Sequence, residues 1–148
     1  MSIVERIDFD LKEALKSRDE LKLSVIRMIK ASLKNRSIEK MGALTDDDVI
    51  SVLSSMVKQR RESIEQFSSA GRKDLAEKEE KELKIIQSYL PEQLSSQEID
   101  SIIISAINES GAKSQNDIGK VMKLVIPKIK GVADGRLVNQ RVKELLGH

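Results

Sequence analysis

Between Ile50 and Leu90 the chain carries two apolar rows whose spacing leaves little choice of fold. In the first, Ile50, Leu53, Val57, Ile64 and Phe67 return at alternating intervals of three and four, with Arg60 filling the one remaining place. In the second, Ala76, Leu83, Ile86 and Leu90 repeat the interval, and Glu79 fills the gap. That period keeps a stripe on one side of an α-helix and would scatter it over both faces of a strand. The turn signal Ser68-Ser69-Ala70-Gly71 lies between the rows, so the pattern predicts an antiparallel helical hairpin. Folding one row onto the other sets Ile64 against Ala76, Val57 against Leu83, Leu53 against Ile86 and Ile50 against Leu90. Arg60 then meets Glu79. A lone charge in an apolar seam is costly whereas a pair roughly breaks even, so the two are expected to form a structural ion pair that sets register. Guanidinium keeps its proton near neutral pH, which rules the pair out as an acid/base dyad.

Two more helices precede the hairpin. Ile3, Ile7, Leu11, Ala14 and Leu15 share one face of a helix over residues 3–17. Asp19 and Glu20 open a second, running to about Lys40 before Gly42, in which Val25, Ile26, Ile29 and Leu33 form the apolar stripe. Arg27, Lys30 and Lys34 fall in one narrow sector beside it, a secondary basic stripe whose ordinary reading is a solvated face. Thr45 followed by Asp46, Asp47 and Asp48 is an N-cap with carboxylates in the first turn, where the helix dipole favours them. Adjacent carboxylates diverge around a helix, so the triplet is not read as a metal site. The third helix should reach Ser68 or Ser69. The fourth should run from Lys73 to Tyr89 and stop at Leu90-Pro91.

Pro91 divides the pattern. Ser95 with Glu98 reads as a capping box, and Leu94 with Ile99 as a hydrophobic staple, so a new helix starts there. It carries Ile99, Ile102, Ile103, Ala106 and Ile107 and ends before Gly111. Ser114 to Asp117 opens the next helix, with Ile118, Val121, Met122 and Val125 as its buried arc. Pro127 reads as the end of that helix, and Asp134 as the cap of a last one burying Val138, Val142 and Leu145. The expected architecture is all-α: an N-terminal helical hairpin domain over residues 1–90 and a small three-helix domain over 91–148.

Residue types exclude much chemistry. Cysteine is absent, which removes disulfides, thiolate metal sites and a thiol nucleophile, and the single histidine is His148. No cofactor and no metal are expected. No apolar run approaches the roughly 18 residues of a membrane span, and the opening MSIVERIDFD is unlike a signal peptide. The expected location is the cytoplasm, without a membrane partner.

The net charge of +2 conceals an asymmetry. Residues 111–148 hold eight Lys and Arg against three Asp and Glu, whereas residues 1–110 hold 18 against 21. Lys120, Lys123, Lys128, Lys130, Arg136, Arg141 and Lys143 gather on and around PKIKGVADGR, residues 127 to 136. Turn chemistry accounts for Pro127, Gly131, Asp134 and Gly135 in that stretch, but not for its basic border. Such a border would draw an anionic partner.

The stretches RMIKASLKNRSIE, VKQRRESIEQFSSAGRKDLAEKEEKELKIIQSYLPEQLS, ESGA, DIGKVMKLVIPKIKG and ADGRLV resemble the YqeY family, in order through nearly the whole chain. That family is the free-standing relative of the C-terminal helical and tail regions of the amidotransferase subunit GatB, which serves glutamyl- and aspartyl-tRNA amidation. The resemblance implies a helical hairpin domain with a three-helix tail, and a tail that contacts tRNA. Its label by descent is carbon-nitrogen ligase with glutamine as amido donor. In the amidotransferase, ammonia delivery, ATP use and amide formation belong to other domains. The residues here offer that label no independent support: there is no cysteine, no amidase Gly/Ser signature, no P-loop and no metal cluster.

Two functional readings follow. One is a non-catalytic module binding tRNA or another folded RNA, working beside translation or amidotransferase proteins. With two Phe, one Tyr and no Trp, the chain lacks stacking platforms for unpaired bases, so contact would be with the RNA backbone. The other is a protein-interaction adaptor that presents the helical hairpin.

Overall fold

In the computed structural model, which describes residues 1–147, nearly every helix boundary has a local cause. Helix α1 (Ile3–Ser17) starts at a capping box: Ser2 accepts the Glu5 backbone N–H, and the Glu5 carboxylate reaches back to the Ser2 N–H. Asp19 accepts from Lys22 N to open α2 (Glu20–Lys40), and Met41, not Gly42, takes the left-handed conformation at its end. A second capping box, Thr45 with Asp48, opens α3 (Asp46–Ser69). Helix α4 spans Lys73–Gln87, two residues short of Tyr89, because Tyr89 and Leu90 bond instead to Ile86 and Gln87 in tighter turns.

After Pro91 come α5 (Ser96–Ser110), a 3-10 turn at Gln115–Asp117, α6 (Ile118–Ile129) and α7 (Gly135–Leu146). At the start of α5, Ser95 accepts from Glu98 N, but the Glu98 carboxylate takes the Ser95 hydroxyl rather than its N–H, so the expected box is half formed. Pro127 does not end α6, which continues to Ile129. Lacking an N–H, Pro127 leaves the Lys123 carbonyl without its usual intrahelical partner. The described residues contain no strand, and none of their helices is long and apolar enough to cross a membrane. His148 lies outside them.

The contacts divide the chain into two compact units, Met1–Leu90 and Pro91–His148. In the first, Ile7, Val25, Ile26, Ile29, Leu33, Val49, Leu53, Met56, Val57, Ile86 and Tyr89 form one core. Helix α3 packs along α4 and also meets α2 and α1, so it buries Val49 and Met56 beside the anticipated Leu53 and Val57. Leu15, expected on the inner face of α1, is half exposed. Truncating a fully buried side chain such as Ile29 to Ala would cost about 2–5 kcal/mol. Tyr89 ties the end of α4 to α1: its hydroxyl donates to Asp10 Oδ2 at 2.5 Å, and its ring lies 5.4 Å from the Arg6 guanidinium. Burial, followed by the Asp10 carboxylate, pushes that hydroxyl's pKa up.

In the second unit, α5, α6 and α7 each pack against the other two. Ile103, Ala106, Val121, Val125, Ile129, Val138, Val142 and Leu146 form its core. Leu146 is the more buried of the final leucine pair, and Leu145 lies at the core's edge.

Candidate nucleic-acid interface

Helix α6 turns Val121 and Val125 inward, and its 3.6-residue period therefore carries Lys120 and Lys123 to the opposite side. Both are exposed, as are Lys128 in the last turn of α6 and Lys130 at its C-cap. On α7 the buried stripe Val138, Val142 places Arg136, Gln140 and Lys143 on one exposed outer row, at intervals of four and three. Lys120 Nζ lies 3.8 Å from Asp117 Oδ1, a long contact.

Arg141 differs from the other six cations. Its Nε and Nη2 donate to the two Asp100 oxygens at 2.7 and 2.9 Å, and its Nη1 to Glu144 at 3.0 Å. The paired guanidinium holds the Asp100 carboxyl below its ordinary range. This bidentate geometry fastens α7 to α5 and engages three of the five N–H donors, the Nε/Nη2 edge that a phosphate would grip among them.

The structural boundary also divides the charge evenly. Cut at Pro91, each part carries +1: 18 Lys and Arg against 17 Asp and Glu before it, eight against seven after it. The asymmetry is internal to the second unit. Helix α5 bears Glu98, Asp100 and Glu109 and no cation, while α6, α7 and their connection carry five of the unit's six lysines.

The connection itself, residues 130–134, is held from outside. Gln93 Nε2 donates to the Gly131 carbonyl at 3.0 Å, and Leu94 N donates to the Val132 carbonyl at 2.8 Å. Gly131 is buried at φ +78, a conformation that L side chains resist. At the start of α7, Asp134 Oδ1 accepts from Arg136 N at 3.0 Å. The helix's own carboxylate thus occupies a first-turn amide, and any anion grip here falls to the side chains.

The first unit holds the remaining candidates. On α2, Arg27 and Lys34 are exposed, whereas Lys30 donates to Asp8 of α1 at 2.5 Å. Arg60 Nε lies 3.3 Å from Glu79 Oε2 and 3.0 Å from Glu82 Oε2, and its Nη2 contacts Met28 Sδ at 3.4 Å. The pair expected in the seam is therefore a cluster of one guanidinium and two carboxylates. Glu82 lies off the three-four row, but it follows Glu79 by three residues, one helical turn, and that spacing was its signal. Gln93 and Gln140 carry no charge, so charge patterning gives no signal for them. Phe9 on α1 is a half-exposed ring, although the composition led us to expect no stacking platform. Among the described residues no group of His, Asp or Glu is arranged to hold a metal.

A family profile described as "Yqey-like protein" matches residues 4–146. Proteins named "Altered inheritance of mitochondria protein 41, mitochondrial" are similar to this chain. That of Pyrenophora tritici-repentis is 34% identical, across 98% of this chain and 81% of its own length. That of Vanderwaltozyma polyspora is 37% identical over 68% of this chain, and that of Saccharomyces cerevisiae strain YJM789 35% over 93%. The chain spans 56% and 65% of these two, less than two thirds of each. The relatives' names overturn the expectation of a cytoplasmic location, since each places its protein in the mitochondrion.

Proposed function

The chain belongs to the YqeY family, and from that membership and the basic surface of its second unit we propose that it is a non-catalytic helical module that binds the phosphate backbone of a folded RNA, tRNA foremost. In this reading residues 1–90 form a domain built on the α3–α4 hairpin. Residues 91–148 form a three-helix tail related to that of the amidotransferase subunit GatB, and the tail makes the contact. The observation that carries it is the set of exposed lysines on α6, α7 and their connection: Lys120, Lys123, Lys128, Lys130 and Lys143. Exposed lysines contribute little to folding, so their concentration on two of three helices, facing away from the core, calls for an anionic partner. Arg136 shares their outer row. Arg141 is assigned to the fold instead. The relatives' names supply a mitochondrial setting for this role.

One observation favours a protein partner as the second reading. Ile38 and Met41, at the end of α2 rather than on the α3–α4 hairpin expected of an adaptor, are 64% and 92% exposed, and such side chains suit a protein contact. Crosslinking in cells, with RNA and protein recovered in parallel on the tagged chain, separates the two. Recovery of tRNA, lost when the five lysines are changed to Gln, is the expected result. Recovery of one protein and only background RNA would favour the adaptor.

A further inference from the structure

Lys128 and Lys130, at the start of the connection, and Arg136, just beyond its end, can address neighbouring phosphates only if residues 131–134 keep their path. Its local bonds tie down Val132, Ala133 and Asp134, but they leave the carbonyl of Gly131, which stands at positive φ, and glycine is the residue least able to hold a single conformation unaided. The path is held by two consecutive residues from the other end of the unit. The Gln93 side-chain amide spans the carbonyls of Pro91, at 3.3 Å, and Gly131, at 3.0 Å, and the Leu94 N–H takes the next carbonyl, Val132. Inside the connection, Val132 N and Ala133 N both return to the Ile129 carbonyl, at 2.9 and 3.1 Å.

We infer that Gln93 is a positioning residue for the basic surface, fixing the connection so that Lys128 and Lys130 on one side and Arg136 on the other are presented together. The inference rests on the phosphate-binding reading. Gln93 bears no charge and is not itself a contact to RNA. Its contribution is to remove freedom from the connection before a ligand arrives, which raises affinity without adding a contact. Leu94 keeps its main-chain bond whatever residue stands at 93, so replacing Gln93 loosens the connection and leaves the helices packed.

The test uses the full chain, unmodified folded tRNA as the probe, and two variants of similar length: Gln93→Met, which removes the donor, and Gln93→Glu, which sets a carboxylate against two carbonyls. Affinity is measured across a salt series, and amide hydrogen exchange is followed in the free proteins. The inference expects Gln93→Met to bind about fivefold to tenfold more weakly, with the same salt slope as wild type because the same phosphates are neutralised. Faster exchange should be confined to Val132 and Ala133, and Gln93→Glu should be weaker again. Equal affinity for wild type and Gln93→Met would overturn the positioning role while leaving the RNA reading intact. Faster exchange throughout the core amides Ile103, Val121 and Val125 would also overturn it, by making Gln93 a residue of the fold. If wild type itself shows no salt-dependent binding, the RNA reading fails and takes this inference with it.

Discussion

Arg60 is the residue at which packing and charge are hardest to separate. Its side chain is 15% exposed and faces Glu79 and Glu82, at 21% and 10%, so three charges share a seam that an apolar row would fill more simply. Arg60 Nε and Glu79 Oε2 are buried without a well-aligned hydrogen bond, which marks the contact as electrostatic attraction rather than a directional bond. Replacing Arg60 with Leu strands two carboxylates and should cost about 3 kcal/mol in chemical denaturation. Adding Glu79→Met should restore only part of this, because Glu82 stays unpaired; the triple change Arg60→Leu, Glu79→Met, Glu82→Leu should restore most. Additive losses along that series would refute the cluster. Asp48 offers a test in pH. The Lys40 ammonium at 2.5 Å and then the Thr45 N–H lower its pKa from 3.8 to about 2. A folded-state pKa below the unfolded one stabilises above the unfolded value and is lost as pH falls through the folded one. Wild type should therefore exceed Asp48→Asn in thermal midpoint near neutrality, and the gap should close between about pH 4 and pH 2. A gap independent of pH would remove the Lys40 contact from the account.

Among the elements, two glycines of the second unit predict opposite outcomes. Gly119, near the start of α6, has an ordinary backbone, and a Cβ there would meet nothing within 4 Å. Gly119→Ala should stabilise by up to about 1 kcal/mol. Gly131 sits at φ +78, and Gly131→Ala should destabilise by roughly 1–2 kcal/mol; paired thermal melts of the two variants check both signs. Helix starts were the most legible part of the chain, because Thr45, Ser95 and Asp134 cap through their own side chains, within three residues of the cap. Ends were less so. Pro127 is an ordinary stop signal, yet α6 runs two residues past it, since burial of Ile129 against the core outweighs one missing backbone bond. The candidate surface divided along the same line. The exposed positions of Lys120, Lys123 and Lys143 follow from helical phase, which is local. The Arg141–Asp100 tie and the Gln93–Gly131 bond join residues 41 and 38 positions apart, and no periodicity carries that information.

At the scale of the whole molecule, the proposed role is binding rather than turnover. Purified recombinant protein given glutamine, ATP and a misacylated tRNA should release no ammonia and form no amide; activity that survives in such a preparation would overturn this. The molecule's net charge of +2 is no argument for an anionic partner, because each unit alone carries +1. What matters is that residues 118–147 hold seven Lys and Arg against two Asp and Glu, while α5 holds three acids and no cation. The most direct test is the salt dependence of affinity for folded tRNA, measured on wild type and on a double variant, Lys128→Gln with Lys130→Gln. A surface that grips phosphates should give a steep slope corresponding to roughly three to five neutralised charges. The double variant should flatten it by about one to two and weaken different tRNAs alike, with an unchanged melting temperature. The same affinity and the same slope for both proteins would contradict the account and leave residues 127 to 136 as a connection between two helices.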